Sequence, residues 1–426
     1  MSIAESAAAA KQASILLAAV PTETKNKALA AVAEALRRRS GEIAAANRAD
    51  VDRARAENLV APLLKRLKFD GGKIREVCDG IGSLIRLADP VGRTLSGIEL
   101  DTGLELYKVS CPIGVIGVVF ESRPDALVQI STLCLKSGNA VLLKGGSEAA
   151  ETNRVLAETI AEATTQAGIP SGWIQLLETR QDVARMLDLD EQVDLLIPRG
   201  SNAFVRYIMD HTNIPVLGHA DGICHVYVDS AADLDMAAAI AVDSKCQYVA
   251  VCNAAETLLV AEAVAERFLP KVKAMFDSKG VELRGCEKTA AITPVKPATE
   301  QDWATEYLDL VLSVKVVAGV DEAIEHINRY GSGHTDCIVT GDRATAERFM
   351  DLVDSADVFW NASTRFSDGF RYGLGAEVGI STNKIHARGP VGLEGLVIYK
   401  WKLIGSGQVV ADYSEGKKTF KHRPLI

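Results

Sequence analysis

The feature that most restricts this chain is a regular alternation between Ile113 and Asp229. The apolar runs IGVIGVVF, AVLLKG, WIQLLE, VDLLIPRG and HVYVD are separated by the helical patterns PDALVQISTLCLKSG, SEAAETNRVLAETIAEATTQAG, RQDVARMLDL and SNAFVRYIMDHT. The runs are apolar almost throughout, not at every second position, as expected of strands covered by helices on both faces. Strand–helix–strand units cross over right-handed, so the pattern predicts an open parallel sheet and an α/β fold. Such a sheet takes its ligands at the carboxyl ends of the strands.

At 426 residues the chain is too long for one core. Residues 1–97 show apolar positions at three- and four-residue spacing and read as helices. Together with 112–228 they form an expected Rossmann-like cofactor domain. Residues 229–385 carry their own strand–helix alternation and predict a second α/β domain. Residues 98–111 and 395–426 return to β character and predict a small arm. Unpaired, that arm would expose a strand edge, so it should dock on another copy of the chain, giving a dimer or a tetramer.

Composition removes several function classes. The net charge of −9, with no run rich in Lys or Arg, argues against nucleic acid as a partner. No apolar stretch reaches the roughly 20 residues of a membrane span. The Ala-rich start lacks a basic segment before its apolar part and reads as a helix, not a secretion signal. The eight cysteines include no CxxC pair, so neither a disulfide scaffold nor a zinc site is expected. The chain reads as cytoplasmic.

Three regions could carry chemistry. In QYVAVCNAAETLLV, Cys252 is followed by Asn-Ala-Ala, which leaves its sulfur uncrowded. A thiolate there could attack a carbonyl or acyl phosphate, with Asn253 and a backbone N–H beside it as oxyanion donors. The alternative is one more small core side chain, the reading that fits Cys134 and Cys337. Next, LLKGGSEA (Lys144, Ser147) and LLIPRGSNA (Gly200, Ser201) place small residues between a strand and a helix start, where N–H groups face anions. Each could be a plain turn, but two in successive units of one sheet point to a dinucleotide, although GxGxxG is absent. Last, NASTRFSDGFRYGLGAEVGISTNKIHARGPVGLEGL is long, polar and Gly-rich, with Arg365, Arg371, His386 and Arg388.

CNAAETLLV, YGSGHTDCIVT and that long loop closely resemble the γ-glutamyl phosphate reductases, a family within the aldehyde dehydrogenase superfamily. The resemblance runs from AAVAEALRRRSGEIAAANRAD to the C-terminal YKWKL. It implies an aldehyde-dehydrogenase-like fold and NADPH-dependent reduction of L-γ-glutamyl 5-phosphate to L-glutamate 5-semialdehyde and phosphate. That is the second step of proline biosynthesis, with glutamate 5-kinase as a possible partner. It makes Cys252 the nucleophile and thioester carrier. It gives Lys144 and Ser147 to the adenosine ribose and 2′-phosphate, Gly200 and Ser201 to the pyrophosphate, and Glu306 to the nicotinamide ribose. Glu148 beside Ser147 opposes a 2′-phosphate. Ser122 stands near the place of an oxyanion asparagine in relatives. Arg123, Arg365 and Arg388 are the cations for the substrate's carboxylate and phosphate. No metal is implied. Hydrolytic relatives carry a glutamate base, and VLGHADGICHVYVD has none, which leaves water a poor competitor for the thioester. The rival readings are an aldehyde dehydrogenase yielding free acid, a non-catalytic dinucleotide scaffold, and a cysteine acyltransferase working without nucleotide.

Overall fold

A computed structural model describes residues 2–121, 123–219 and 221–426. The chain divides into two compact units. The first comprises Met1–Leu217, Leu374–Gly379 and Val391–Ile426, and the second Gly218–Gly373 and Ile380–Pro390. No described helix is long and apolar enough to cross a membrane.

The first unit opens with helices α1 (Ile3–Leu17), α2 (Thr22–Arg38), α3 (Ser40–Ala56), α4 (Ala61–Leu67) and α5 (Gly71–Arg86). On α2 the three- and four-residue spacing buries Leu29, Val32 and Leu36 against α5 and a later helix, α7 (Ala150–Gln166). Strands β1 (Thr94–Asp101) and β2 (Leu104–Pro112) form an antiparallel pair. Then come β3 (Val115–Val119), α6 (Pro124–Lys136), β4 (Ala140–Lys144), α7, β5 (Ile174–Leu176), α8 (Arg180–Met186), β6 (Leu195–Pro198) and α9 (Asn202–Asp210). The four strands β3–β6 make a parallel sheet ordered β5-β4-β3-β6. Every residue of β3, β4 and β6 is buried, as their unbroken apolar runs require.

The second unit contains β7 (Cys224–Val228), α10 (Leu234–Cys246), β8 (Ala255–Ala261), α11 (Glu262–Ser278), β9 (Glu282–Gly285), α12 (Glu287–Ile292), β10 (Lys296–Pro297), β11 (Val311–Val317), α13 (Val320–Tyr330), β12 (Thr335–Val339), α14 (Arg343–Leu352) and β13 (Asp357–Trp360). Its parallel sheet is ordered β10-β9-β11-β8-β7-β12-β13 over a core that includes Leu258, Phe268, Phe276, Val314, Ile338 and Phe349. The strand expected to close the first sheet, HVYVD, therefore lies at the centre of the second, between β8 and β12. The break between units falls at 217/218, not at 228/229. An apolar run records that both faces of a strand are covered; it does not record which neighbours pair with it.

Beyond β13 the short strands β14 (Gly379–Ser381) and β15 (Gly389–Val391) make a two-stranded ribbon. In the first unit, β16 (Val397–Ile404) and β17 (Arg423–Pro424) then join β1 and β2 in an antiparallel sheet ordered β16-β2-β1-β17. The small arm expected from the sequence is thus a four-stranded sheet.

Candidate active site

In the first unit, Lys144, Ser147, Gly200 and Ser201 all line one cleft of about 610 Å³. Lys144 ends β4, and the Gly145-Gly146-Ser147 turn follows it. Pro198 ends β6, and Ser201 caps α9 with its carbonyl, accepting from Val205 N at 3.0 Å. The cleft therefore sits at the carboxyl ends of the strands, where a parallel sheet presents helix N-termini to a ligand. Glycine is needed at 145, because a Cβ there would overlap the Asn153 side chain and come within 3.1 Å of the Phe120 ring. The Lys144 Nζ donates to the Gly145 carbonyl. Glu148 also lines the cleft, and its Oε2 is buried without a hydrogen-bond partner among the described residues. A cleft with two N–H-bearing turns, a cationic side chain and an unsatisfied carboxylate oxygen is shaped for a ligand carrying both phosphate and hydroxyl groups.

Cys252 belongs to the second unit. It is half-buried in a turn closed by Ala254 N donating to Val251 O at 3.1 Å, just before β8. Two further residues stand at the same edge of the sheet. His219 precedes β7, and His334 immediately precedes β12. Because β8, β7 and β12 are parallel neighbours, their amino ends bring the Cys252 sulfur and one ring nitrogen from each histidine within 4.8 Å of one another. The imidazole rings meet edge-on with centroids 5.0 Å apart. Gly222 lies against this turn, where a Cβ would overlap the Cys252 main chain. Sequence reasoning gave neither histidine a role. Their signal was present only as Gly-His before two strands, in VLGHADG and GSGHTDC.

These imidazoles also qualify the argument from the missing glutamate. The stretch before β7 lacks a glutamate, but it supplies His219 beside the thiol. Burial pushes His334 well below the ordinary histidine range, with His219 adding to the effect, so it is neutral and a weak proton acceptor.

After β13 the chain doubles back to the amino edge. Ser367 Oγ donates to Asp357 at 2.9 Å, Thr364 Oγ1 donates to Asn253 O at 2.7 Å, and Asn253 Nδ2 donates to Ser367 O at 2.7 Å. Asn253 is buried, and this amide bond pins the loop; its Oδ1 has no partner among the described residues. The same loop delivers Arg365, only 8% exposed, with Nε donating to Gln247 Oε1 at 3.0 Å. Burial lowers the Arg365 pKa and Arg371 adds to this, while attraction to Cys252 opposes both. A cation held there favours thiolate over thiol.

Beneath the turn, Lys245 at the end of α10 meets Glu256 at the start of β8, Nζ to Oε2 2.6 Å, with both side chains fully buried. Burial raises the Glu256 carboxyl to about 7 against the opposing pull of Lys245.

The other expected residues fall elsewhere. Arg388 is engaged with Asp354, Nη1 to Oδ1 3.2 Å and Nη2 to the carbonyl at 2.9 Å, and with Thr382 O at 3.3 Å, which makes it a clamp on the backbone. Arg123 pairs with Asp125 at 3.0 Å in the first unit. Glu306 lies in the loop before β11 and interacts with Glu256. Ser122 lies outside the described residues.

Known proteins resemble this chain over nearly its whole length. A gamma-glutamyl phosphate reductase of Pelotomaculum thermopropionicum is 68% identical over 425 residues, spanning 100% of this chain and 98% of that one. The chain belongs to the γ-glutamyl phosphate reductase family. The broader Aldehyde dehydrogenase family pattern matches residues 1–310. The crystal structure of a γ-glutamyl phosphate reductase from Thermotoga maritima is 43% identical, covers 96% of this chain and 99% of its own, and superposes with a TM-score of 0.93. An acetylating aldehyde dehydrogenase from Geobacillus thermoglucosidasius, 17% identical with a TM-score of 0.64 and covering 96% and 97%, shares the fold. The aldehyde-dehydrogenase-like α/β architecture expected from the sequence is therefore the one this reductase family member adopts.

Proposed function

We propose that this chain reduces L-γ-glutamyl 5-phosphate to L-glutamate 5-semialdehyde and phosphate with NADPH, through a thioester on Cys252. One observation carries the reading: a half-buried thiol whose neighbour Asn253 is hydrogen-bonded to the loop that delivers the buried Arg365, in a chain 68% identical to a protein named for this reaction. Arg365 stabilises the Cys252 thiolate, which attacks the acyl carbon. The carbon–oxygen bond to phosphate breaks and phosphate leaves with its electron pair. The acyl group is then held on sulfur. Arg365 is also the cation best placed to favour the substrate's anionic groups near the reacting carbon. His334, neutral and weakly basic, is itself a poor base for activating water.

Lys144, Ser147, Gly200 and Ser201 would hold the dinucleotide in the 610 Å³ cleft. A reduced nicotinamide held by these residues would supply hydride chemistry. Lys144 and Ser147 suit a 2′-phosphate, whereas Glu148 repels one. Glu306 is assigned to the nicotinamide ribose. The β16 edge is assigned to contact between copies of the chain.

Semialdehyde oxidation with NADP⁺, run with and without inorganic phosphate, tests the reading. Turnover should require phosphate, and Cys252→Ser should lower it by roughly 10⁴-fold or more, because a serine hydroxyl has too high a pKa to form the adduct unaided. Phosphate-independent release of glutamate, or an active serine variant, would replace it with the hydrolytic or the scaffold reading.

A further inference from the structure

We propose that Cys252, His219 and His334 form a site for a borderline-soft divalent cation of the zinc type, and that its occupancy blocks the nucleophile. The three donor atoms lie within 4.8 Å of one another at the amino ends of adjacent strands. His219 Nδ1 lies 3.0 Å from the Ile380 carbonyl, which can only accept, so the proton sits on Nδ1 and the lone pair on Nε2. His334 is fully buried. Its Nδ1 is 2.7 Å from Thr335 Oγ1, and its Nε2 has no hydrogen-bond partner among the described residues. In His334 a polar group orients Nδ1 and Nε2 is left without a hydrogen-bond partner among the described residues, which is how proteins present histidine to a metal.

One sulfur and two nitrogens are donors that zinc prefers to magnesium or calcium. Zinc–sulfur and zinc–nitrogen bonds of about 2.3 and 2.05 Å require donors about 3.5 Å apart. Donors already within 4.8 Å of one another need to close by about an ångström to reach this. Binding takes the sulfur as thiolate and releases its proton, with the fourth position left to water. A sulfur lone pair committed to the metal cannot attack an acyl carbon, so the cation acts as a reversible brake removed by chelation. The sequence argument against zinc concerned cysteines adjacent in the chain, whereas this set spans Cys252 and two histidines brought together by strand order. The inference rests on the cluster alone and not on the acyl phosphate chemistry.

Titration of the chelator-treated full-length chain with Co²⁺, followed by absorption, provides the test. One equivalent per chain should give a thiolate-to-cobalt charge-transfer band, which Zn²⁺ abolishes in competition. Zn²⁺ should also protect Cys252 from iodoacetamide while Cys246 and Cys286 still label, as mapped by peptide mass. His219→Asn and His334→Gln should each weaken affinity by more than about 100-fold, beyond the roughly 10–100-fold that loss of an outer-sphere partner costs. His219 is half-buried, so its variant tests the site even if the His334 variant does not fold. Absence of the band, or a band with unchanged affinity in His219→Asn, overturns the proposal. A chain that shows the band but fails to reduce refutes only the reductase reading.

Discussion

At the scale of single residues, the reactivity of Cys252 depends on a charge delivered from 113 positions away. Arg365 is buried and tied to Gln247, so its guanidinium cannot swing into solvent, and its attraction to the sulfur is little screened. An opposite charge this close lowers a thiol's pKa, and its removal raises it. Arg365→Met should therefore move the pH profile of Cys252 alkylation alkaline by roughly one unit or more. An unshifted profile would mean that the arginine serves only the substrate. The contrast with the cofactor residues explains what could be read from the sequence. Lys144, Ser147, Gly200 and Ser201 each sit on a local strand–turn–helix unit, so a few letters announce them. His219, Cys252 and His334 meet only because β7 lies between β8 and β12, and no local pattern states that order. Arg388 illustrates the converse: its charge was legible, but its partner Asp354 was not.

Between elements, the loop carrying Cys252 is stapled at its base where α10 meets β8. The Lys245–Glu256 pair lies wholly out of water; Glu256 also accepts from Leu308 N at 3.3 Å, but Lys245 supplies its only cation among the described residues. Lys245→Met should cost about 3–5 kcal/mol by leaving a buried carboxyl uncompensated, whereas Lys245→Met with Glu256→Leu should recover most of that. Thermal denaturation of the two variants checks it, and equal melting temperatures would show that the pair is not a staple. Helices and strands were largely legible in the sequence because both periodicities are strong here, as in α2 and β4. The assignment of β7 to a sheet was not, since all-apolar strands look alike whichever neighbours they take.

For the molecule as a whole, two features set behaviour that no single site controls. The first is acid stability. Burial pushes His326 down to about 2, assisted by His225, Lys315 and Arg329, and Lys315 Nζ lies 3.3 Å from its Nδ1. The unfolded chain protonates this histidine near pH 6.5 while the folded chain does not, so U binds more protons and stability falls as pH drops below that value. Each pH unit below 6.5 should cost about 1.4 kcal/mol, down towards pH 2. His326→Gln should flatten the stability–pH curve by that slope between pH 6 and 4, and an unchanged slope would place the acid sensitivity elsewhere. The second feature is the β16 edge. Among the described residues only β2 pairs with this eight-residue strand, yet Tyr399, Trp401, Leu403 and Ile404 are between 45% and 58% exposed along it. A long apolar edge beside a row of open backbone groups favours strand addition from another chain over solvation. Trp401→Glu combined with Leu403→Glu puts two like charges against whatever covers that face. Sedimentation should give a mass above the 45.5 kDa of one chain for the native sequence and a shift towards 45.5 kDa for the variant, with far-ultraviolet circular dichroism unchanged. A native chain that sediments as a single copy would mean that the edge is closed by something other than itself.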